Sequence, residues 1–193
     1  MCNGANLAYT KKAFNDVNGF KDIDAIASGD DMLLMHKIYK LNSNAVLFLK
    51  SKKVIVQTLP VHTIKEFFNQ RIRWASKADK YDDKRIFAVL LVVYLFNVLL
   101  FVLPVVAIFN NTIFNFNFYP VTFIFSLFEL WLFLIITKTI VEIFFLFPVA
   151  KFFNKQKLLW LFPLLQPFHI VYTVIAGWLG KFGSYKWKGR NVK

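Results

Sequence analysis

A chain of 193 residues can hold one ordinary domain, or a smaller mixed part with several membrane helices, and its composition favours the second. Hydrophobic residues make up 57%, Phe alone supplies 24 residues, and 86–137 carries no Lys or Arg and one acid, Glu129, a stretch that ordinary soluble helices or strands do not sustain. The formal charge of +13 lies beside apolar segments, in 77–85, 151–157 and 181–193, where anionic headgroups explain it; without Arg-rich repeats or paired cysteines it does not indicate nucleic acid.

The start, Met1-Cys2-Asn3-Gly4, lacks the basic region and apolar run of a signal peptide and reads as chain entering a fold midway. Cys2 is the lone cysteine, so neither an intramolecular disulfide nor a thiolate metal cluster is expected. Ala5–Tyr9 suits a short strand. Thr10 caps a brief helix through Asn15 or Asp16, stopped at Asn18-Gly19, a pair suited to positive φ. After a loop over Lys21–Ala27, Ser28 caps a second helix with Asp30 and Asp31 in its first turn, where carboxylates favour the exposed amides. Leu34, Ile38 and Leu41 share one face of it. Asn42–Asn44 turns the chain, Ala45–Leu49 reads as a buried strand, and Val54–Val56 as another short one. Sixty residues bury a marginal core at best, so this mixed part is expected to be an incomplete domain.

Thr63-Ile64-Lys65-Glu66 is a capping box, opening a helix expected to run to about Lys80. Ile64, Phe67, Phe68, Ile72, Ala75 and Ala78 form its apolar arc, and Gln70, Arg73, Trp74 and Lys77 a different one, the pattern of a helix lying at an interface. Membrane spans are expected at Ile86–Phe109 and Tyr119–Thr137, joined by the uncharged loop Asn110–Asn117, with Tyr119 and Trp131 near interfaces. Lys138–Phe147 stays apolar but carries Glu142, four residues after Lys138 and able to pair with it. A basic loop, Lys151–Lys157, precedes a third apolar segment, Leu158–Leu179, interrupted by Pro163 and Pro167. Flanking charge puts Lys77, Lys80, Lys84, Arg85 and 151–157 on the cytoplasmic side. Three full crossings would then leave the basic tail, Lys181–Lys193, outside against the same rule, so two or three spans remain open.

Several groups carry candidate chemistry. Arg73 can neutralise a diphosphate, Gln70 can hydrogen-bond it, and Trp74 can stack on a sugar ring; the bland reading is Arg and Trp anchoring a helix to headgroups. Asp30 and Asp31 form an acid pair at a helix start, and the bland reading is two acids stabilising a helix N-terminus. Glu129 and Glu142, in apolar surroundings, are expected to pack or to pair with Lys138, with a polymer or lipid channel as the lesser reading. His36, His62 and His169 lack metal-ligand spacing and read as structural or surface residues.

Gln70-Arg71-Ile72-Arg73-Trp74, the Gly29-Asp30-Asp31 helix start, and Gly4-Ala5-Asn6-Leu7-Ala8-Tyr9 with Ala13-Phe14 and Gly19-Phe20 resemble the C-terminal part of a membrane-anchored family 2 glycosyltransferase, the Q-x-x-R-W group that includes cellulose and hyaluronan synthases. The resemblance implies an α/β fold: the C-terminal portion of a GT-A nucleotide-sugar transferase, then an interfacial amphipathic helix and a multi-pass helical membrane region. It divides the chain into an acceptor-side partial catalytic domain (1–62), the interfacial helix (63–83), a membrane region (84–180) and a basic tail (181–193). It implies Asp31, beside Asp30, as general base, Gln70 and Arg73 on the donor diphosphate, and Trp74, Gly4 and Asn6 on the acceptor. Asp30 stands where the family more often has Glu.

The implied reaction is inverting transfer of a sugar from a nucleotide diphosphate sugar to a lipid or glycan acceptor hydroxyl. A divalent cation, Mg or Mn, is implied with it. Asp22-Ile23-Asp24 has the spelling of the metal-binding D-x-D but follows the Gly-Ala-Asn segment instead of preceding it, so no metal ligands are assigned here. The donor-binding half is expected to be missing, as in a truncated or split reading frame, leaving the chain inactive alone and needing another chain to supply it. The implied location is a bacterial inner membrane with the catalytic portion cytoplasmic. The alternative is a non-catalytic multi-pass membrane protein, or a transporter or channel subunit.

Overall fold

The computed structural model describes residues 4–24, 29–78, 84–110, 113–118, 121–187 and 189–192. Cys2, Ser28, Lys80 and Tyr119 therefore lie outside the described residues. The chain divides into two compact units, Met1–Phe87 with Trp178–Lys193, and Ala88–Gly177.

In the first unit, helix α1 spans Lys11–Asp16, and Thr10 Oγ1 accepts the Ala13 N–H at 3.1 Å. The turn falls at Asn18 and Gly19, with φ of 56° and 53°, as their chemistry predicts. Phe14 stacks on Tyr9 at 5.7 Å and meets Phe20 edge-on at 5.2 Å, so this loop is held by an aromatic cluster. Helix α2, Asp30–Leu41, starts from Gly29 with Asp30 and Asp31 in its first turn. It buries Leu33, Leu34 and Ile38, whereas Leu41, expected on the same face, is exposed where the helix ends at Asn42. Helix α3, Ile64–Ala75, has the full capping box: Thr63 Oγ1 accepts from Glu66 N and Glu66 Oε2 from Thr63 N. It stops at Ser76, short of the Lys80 read from the sequence. The tail forms an antiparallel hairpin, β3 (Tyr185–Trp187) with β4 (Arg190–Val192), and β3 packs on α3. Among the described residues, the buried apolar side chains of this unit are Leu33, Leu34, Ile38, Ile72 and Tyr185. At about 1.5–3 kcal/mol for each large apolar side chain, that is a thin core.

The expected α/β fold is not what forms. Residues 5–9, 45–49 and 54–56 contain no strand, and strand among the described residues is confined to two separate two-stranded hairpins. The reason is local chemistry combined with missing ladder partners. Asn42 Oδ1 accepts from Asn44 N, Ser51 Oγ accepts from Lys53 N, and the Asn6 amide donates to Val54 O. Such side-chain bonds bend the backbone into 3₁₀ turns at Ser43–Ala45 and Lys52–Val54, while Gly4–Asn6 forms a third. Leu47, at 89% exposure, and Phe48, at 86%, then stand on extended chain with no neighbouring strand. The described residues do not make a GT-A core.

The second unit is helical with one hairpin. Helix α4, Lys84–Phe109, is apolar beyond its Lys84-Arg85 start except for the buried Asn97. The chain beyond it, expected to be a loop and the start of a span, pairs instead as β1 (Ile113–Phe118) and β2 (Val121–Ser126), with Phe116 opposite Phe123. Helix α5 consequently begins at Leu127 and runs to Phe152, past the Thr137 end read from the sequence. Ser126 caps it, and Glu129 Oε2 accepts from Ser126 N and Oγ, so Glu129 is a capping residue and not a partner of Lys138. Helix α6, Phe162–Phe182, follows a 3₁₀ segment, with Pro163 in its first turn and Pro167 inside it. Trp131 Nε1 donates to Leu100 O at 2.9 Å, joining α5 to α4, and Tyr94 OH donates to Val174 O, joining α4 to α6. Among the described residues, three stretches, Lys84–Phe109, Leu127–Phe152 and Gln156–Phe182, are long and apolar enough to cross a membrane, supporting a multi-pass membrane protein.

Candidate functional site

Within the first unit, α2 and α3 bring several sequence-singled residues together. Asp31 Oδ2 accepts the Gly4 N–H at 2.6 Å, and its Oδ1 accepts the Met32 N–H at 2.8 Å. This clamps the start of the described chain onto the first turn of α2. The Asn6 amide donates to Val54 O at 3.0 Å.

The other side of the corner is cationic. Gly29 has φ 95°, and a Cβ there would lie 2.9 Å from both Cδ and Nζ of Lys77. Glycine lets the Lys77 side chain run against the start of α2. Burial pushes the Lys77 ammonium below its ordinary lysine value, Arg73 adds repulsion, and Asp31 and Asp30 oppose both. Burial also lowers Arg73, with Tyr185 and then Asp31 opposing it. Arg73, Lys77, Asp30 and Asp31 therefore act on one another electrostatically.

Gln70 and Trp74 share this stretch of α3 with Arg73, at positions i, i+4 and i+3. Gln70 is half-buried, whereas Trp74 is 48% exposed. The Arg71 guanidinium sits 4.6 Å from the Trp74 ring centroid and 4.8 Å from that of Phe67. One face of Trp74 is thus held by a cation.

Tyr185 and Lys77 went unremarked as site residues. Lys77 was legible only as a member of the polar arc. Tyr185 is buried and arrives from the tail, more than a hundred residues from Arg73. Its signal was the alternating Tyr185-Lys186-Trp187 before Gly189, a hairpin pattern. The tail is carried in by the end of α6, where a Cβ on Gly180 would lie 2.8 Å from Ala75 Cβ and 2.9 Å from Ser76 N.

This corner thus gathers two acids, Asp30 and Asp31, and two cations, Arg73 and Lys77, within electrostatic reach of one another. Among the described residues no three His, Cys, Asp or Glu side chains converge as metal ligands. The expectation of an inverting glycosyltransferase part is corrected on the same ground as the fold. A helical, multi-span architecture without a recognisable catalytic core matches the non-catalytic multi-pass alternative better.

No curated protein and no solved structure matches the chain. The family model described as glycosyl transferase family group 2 matches residues 1–179, taking in the acid pair, the α3 motif and most of all three long helices. By that match over nearly its full length, the chain belongs to glycosyl transferase family group 2.

Proposed function

We propose that this chain is a non-catalytic, multi-pass membrane component of its family, which holds the diphosphate end of a nucleotide sugar at the membrane border without transferring the sugar. The observation that carries this reading is the pair of half-buried cations, Arg73 and Lys77, set four residues apart just before the first long apolar helix. Both carry desolvated positive charge, which a diphosphate offsets by charge-assisted hydrogen bonds. Gln70 supplies an amide one turn earlier, and Trp74 supplies an exposed ring edge for a sugar or acceptor. Asp31, with Gly4 on its carboxylate, shapes the corner.

Residues 1–62 and the tail 181–193 frame the corner in this reading, 63–83 lie at the interface, and 84–180 anchor it. The basic residues at 77–85 and 151–157 favour a cytoplasmic position for it, as in a bacterial inner membrane. Divalent cation and any transferase activity come from a separate donor-binding partner.

Equilibrium binding of uridine diphosphate to the full chain in detergent, with pyrophosphate as competitor, tests the reading. Arg73→Ala and Lys77→Ala are each expected to weaken binding about tenfold, the loss of one hydrogen bond to a charged group. Affinities equal to wild type would sink it.

A further inference from the structure

The second unit holds a polar cluster that the diphosphate corner does not use. Lys138 on α5 is buried, and its Nζ lies 2.8 Å from Glu142 Oε2, 2.8 Å from Gln166 Oε1 and 3.4 Å from His169 Nδ1. Gln166, 1% exposed on α6, also donates its Nε2 to Glu142 Oε2, which fixes the orientation of its amide. An ammonium has three N–H donors, and three acceptors surround this one. Both bonds to Glu142 fall on Oε2; Oε1 accepts none from the described residues. Beside the cluster, Glu142, Phe145, Leu146, Phe162 and His169 line a cavity of about 200 Å³ between α5 and α6. Its Phe145 wall is 76% exposed on a helix apolar enough to cross a membrane.

We propose that this cavity binds the hydroxyl headgroup of a neutral, long-chain amphiphile, the hydroxyl donating to Glu142. Three features select that chemistry. The walls Phe145, Leu146 and Phe162 lie on two membrane-length helices, so an acyl or prenyl chain reaches them from the bilayer. The ion pair is already neutral, so a bound ammonium or phosphate would leave a net charge in a low-dielectric setting, which is costly. A phosphate would also meet the Glu142 carboxylate, while the Lys138 donors are already directed at protein acceptors. A neutral donor adds the missing hydrogen bond without adding charge.

The test uses the full chain in lipid nanodiscs and four photoactivatable probes of one chain length: a primary alcohol, its methyl ether, the amine and the phosphate monoester. Crosslinked residues are mapped by mass spectrometry. The alcohol is expected to label the Phe145–Leu146 and Phe162 walls, and the ether, which cannot donate, about tenfold less. Leu146→Trp, which fills the cavity from its apolar wall and leaves every residue of the polar cluster unchanged in identity, is expected to abolish that labelling. Equal labelling by alcohol and ether on the wild-type chain would overturn the proposal, with no variant needed. So would preferential labelling by the amine or the phosphate, or labelling that survives in a normally folded Leu146→Trp.

Discussion

Asp31 joins Gly4 to the first turn of α2 by accepting one backbone N–H on each oxygen. Asp31→Asn retains one acceptor oxygen and replaces the other with a donor facing an N–H. The expected cost is about 1–3 kcal/mol, read as a lower thermal midpoint in detergent. A midpoint equal to wild type would remove the clamp from the account. Lys77 gives a pH signature. Burial lowers its folded-state value below the unfolded one, so on raising pH the folded protein releases this proton first. The unfolded chain then binds more protons, and the contribution of Lys77 to stability rises with pH until the ordinary lysine value is passed. As pH rises toward the ordinary lysine value of 10.5, the midpoint of the wild type should gain on that of Lys77→Met; parallel curves would contradict the burial. At this scale the sequence was informative wherever the chemistry is local. The Thr10 and Thr63 caps and the Asn18-Gly19 turn follow from side chains bonding their own neighbourhood. Tyr185 beside Arg73 does not, because that proximity depends on a helix end closing against α3.

Among the elements, the ends of α3 decide how the corner is built. Its start depends on the capping box, so Thr63→Ala is expected to cost about 1 kcal/mol, measured as the same midpoint shift. Its other end touches α6 so closely that Gly180 has no room for a methyl group: the obstructing atoms include the backbone nitrogen of Ser76, which cannot swing aside. Gly180→Ala should cost about 1–3 kcal/mol and weaken uridine diphosphate binding with it, through displacement of the Tyr185 hairpin. Unchanged stability and binding would show that the contact does not matter. The second span was misplaced in the sequence reading because apolar residues run without a break from the hairpin into α5. Periodicity alone does not separate strand from helix in such a run. The Ser126–Glu129 capping box marked the true start and was legible in the sequence. The strands expected at 45–49 and 54–56 failed for the opposite reason: their apolar content was right, but a strand is defined by a partner that local sequence does not name.

For the whole molecule, the family resemblance was legible and the fold drawn from it was not. The α3 motif and the acid pair identified glycosyl transferase family group 2, which the match over residues 1–179 bears out. The GT-A core was inferred from that resemblance and not from paired strands, and the described residues do not build it. The proposed function separates family membership from catalysis in this chain. Sugar transfer from radiolabelled nucleotide sugars, by membranes carrying the wild-type chain and by membranes carrying Asp31→Asn, tests that separation most directly. A non-catalytic component gives incorporation no higher than membranes without the chain, in both cases. Incorporation by the wild type that falls when Asp31 is changed, in a variant confirmed to remain folded, would contradict it.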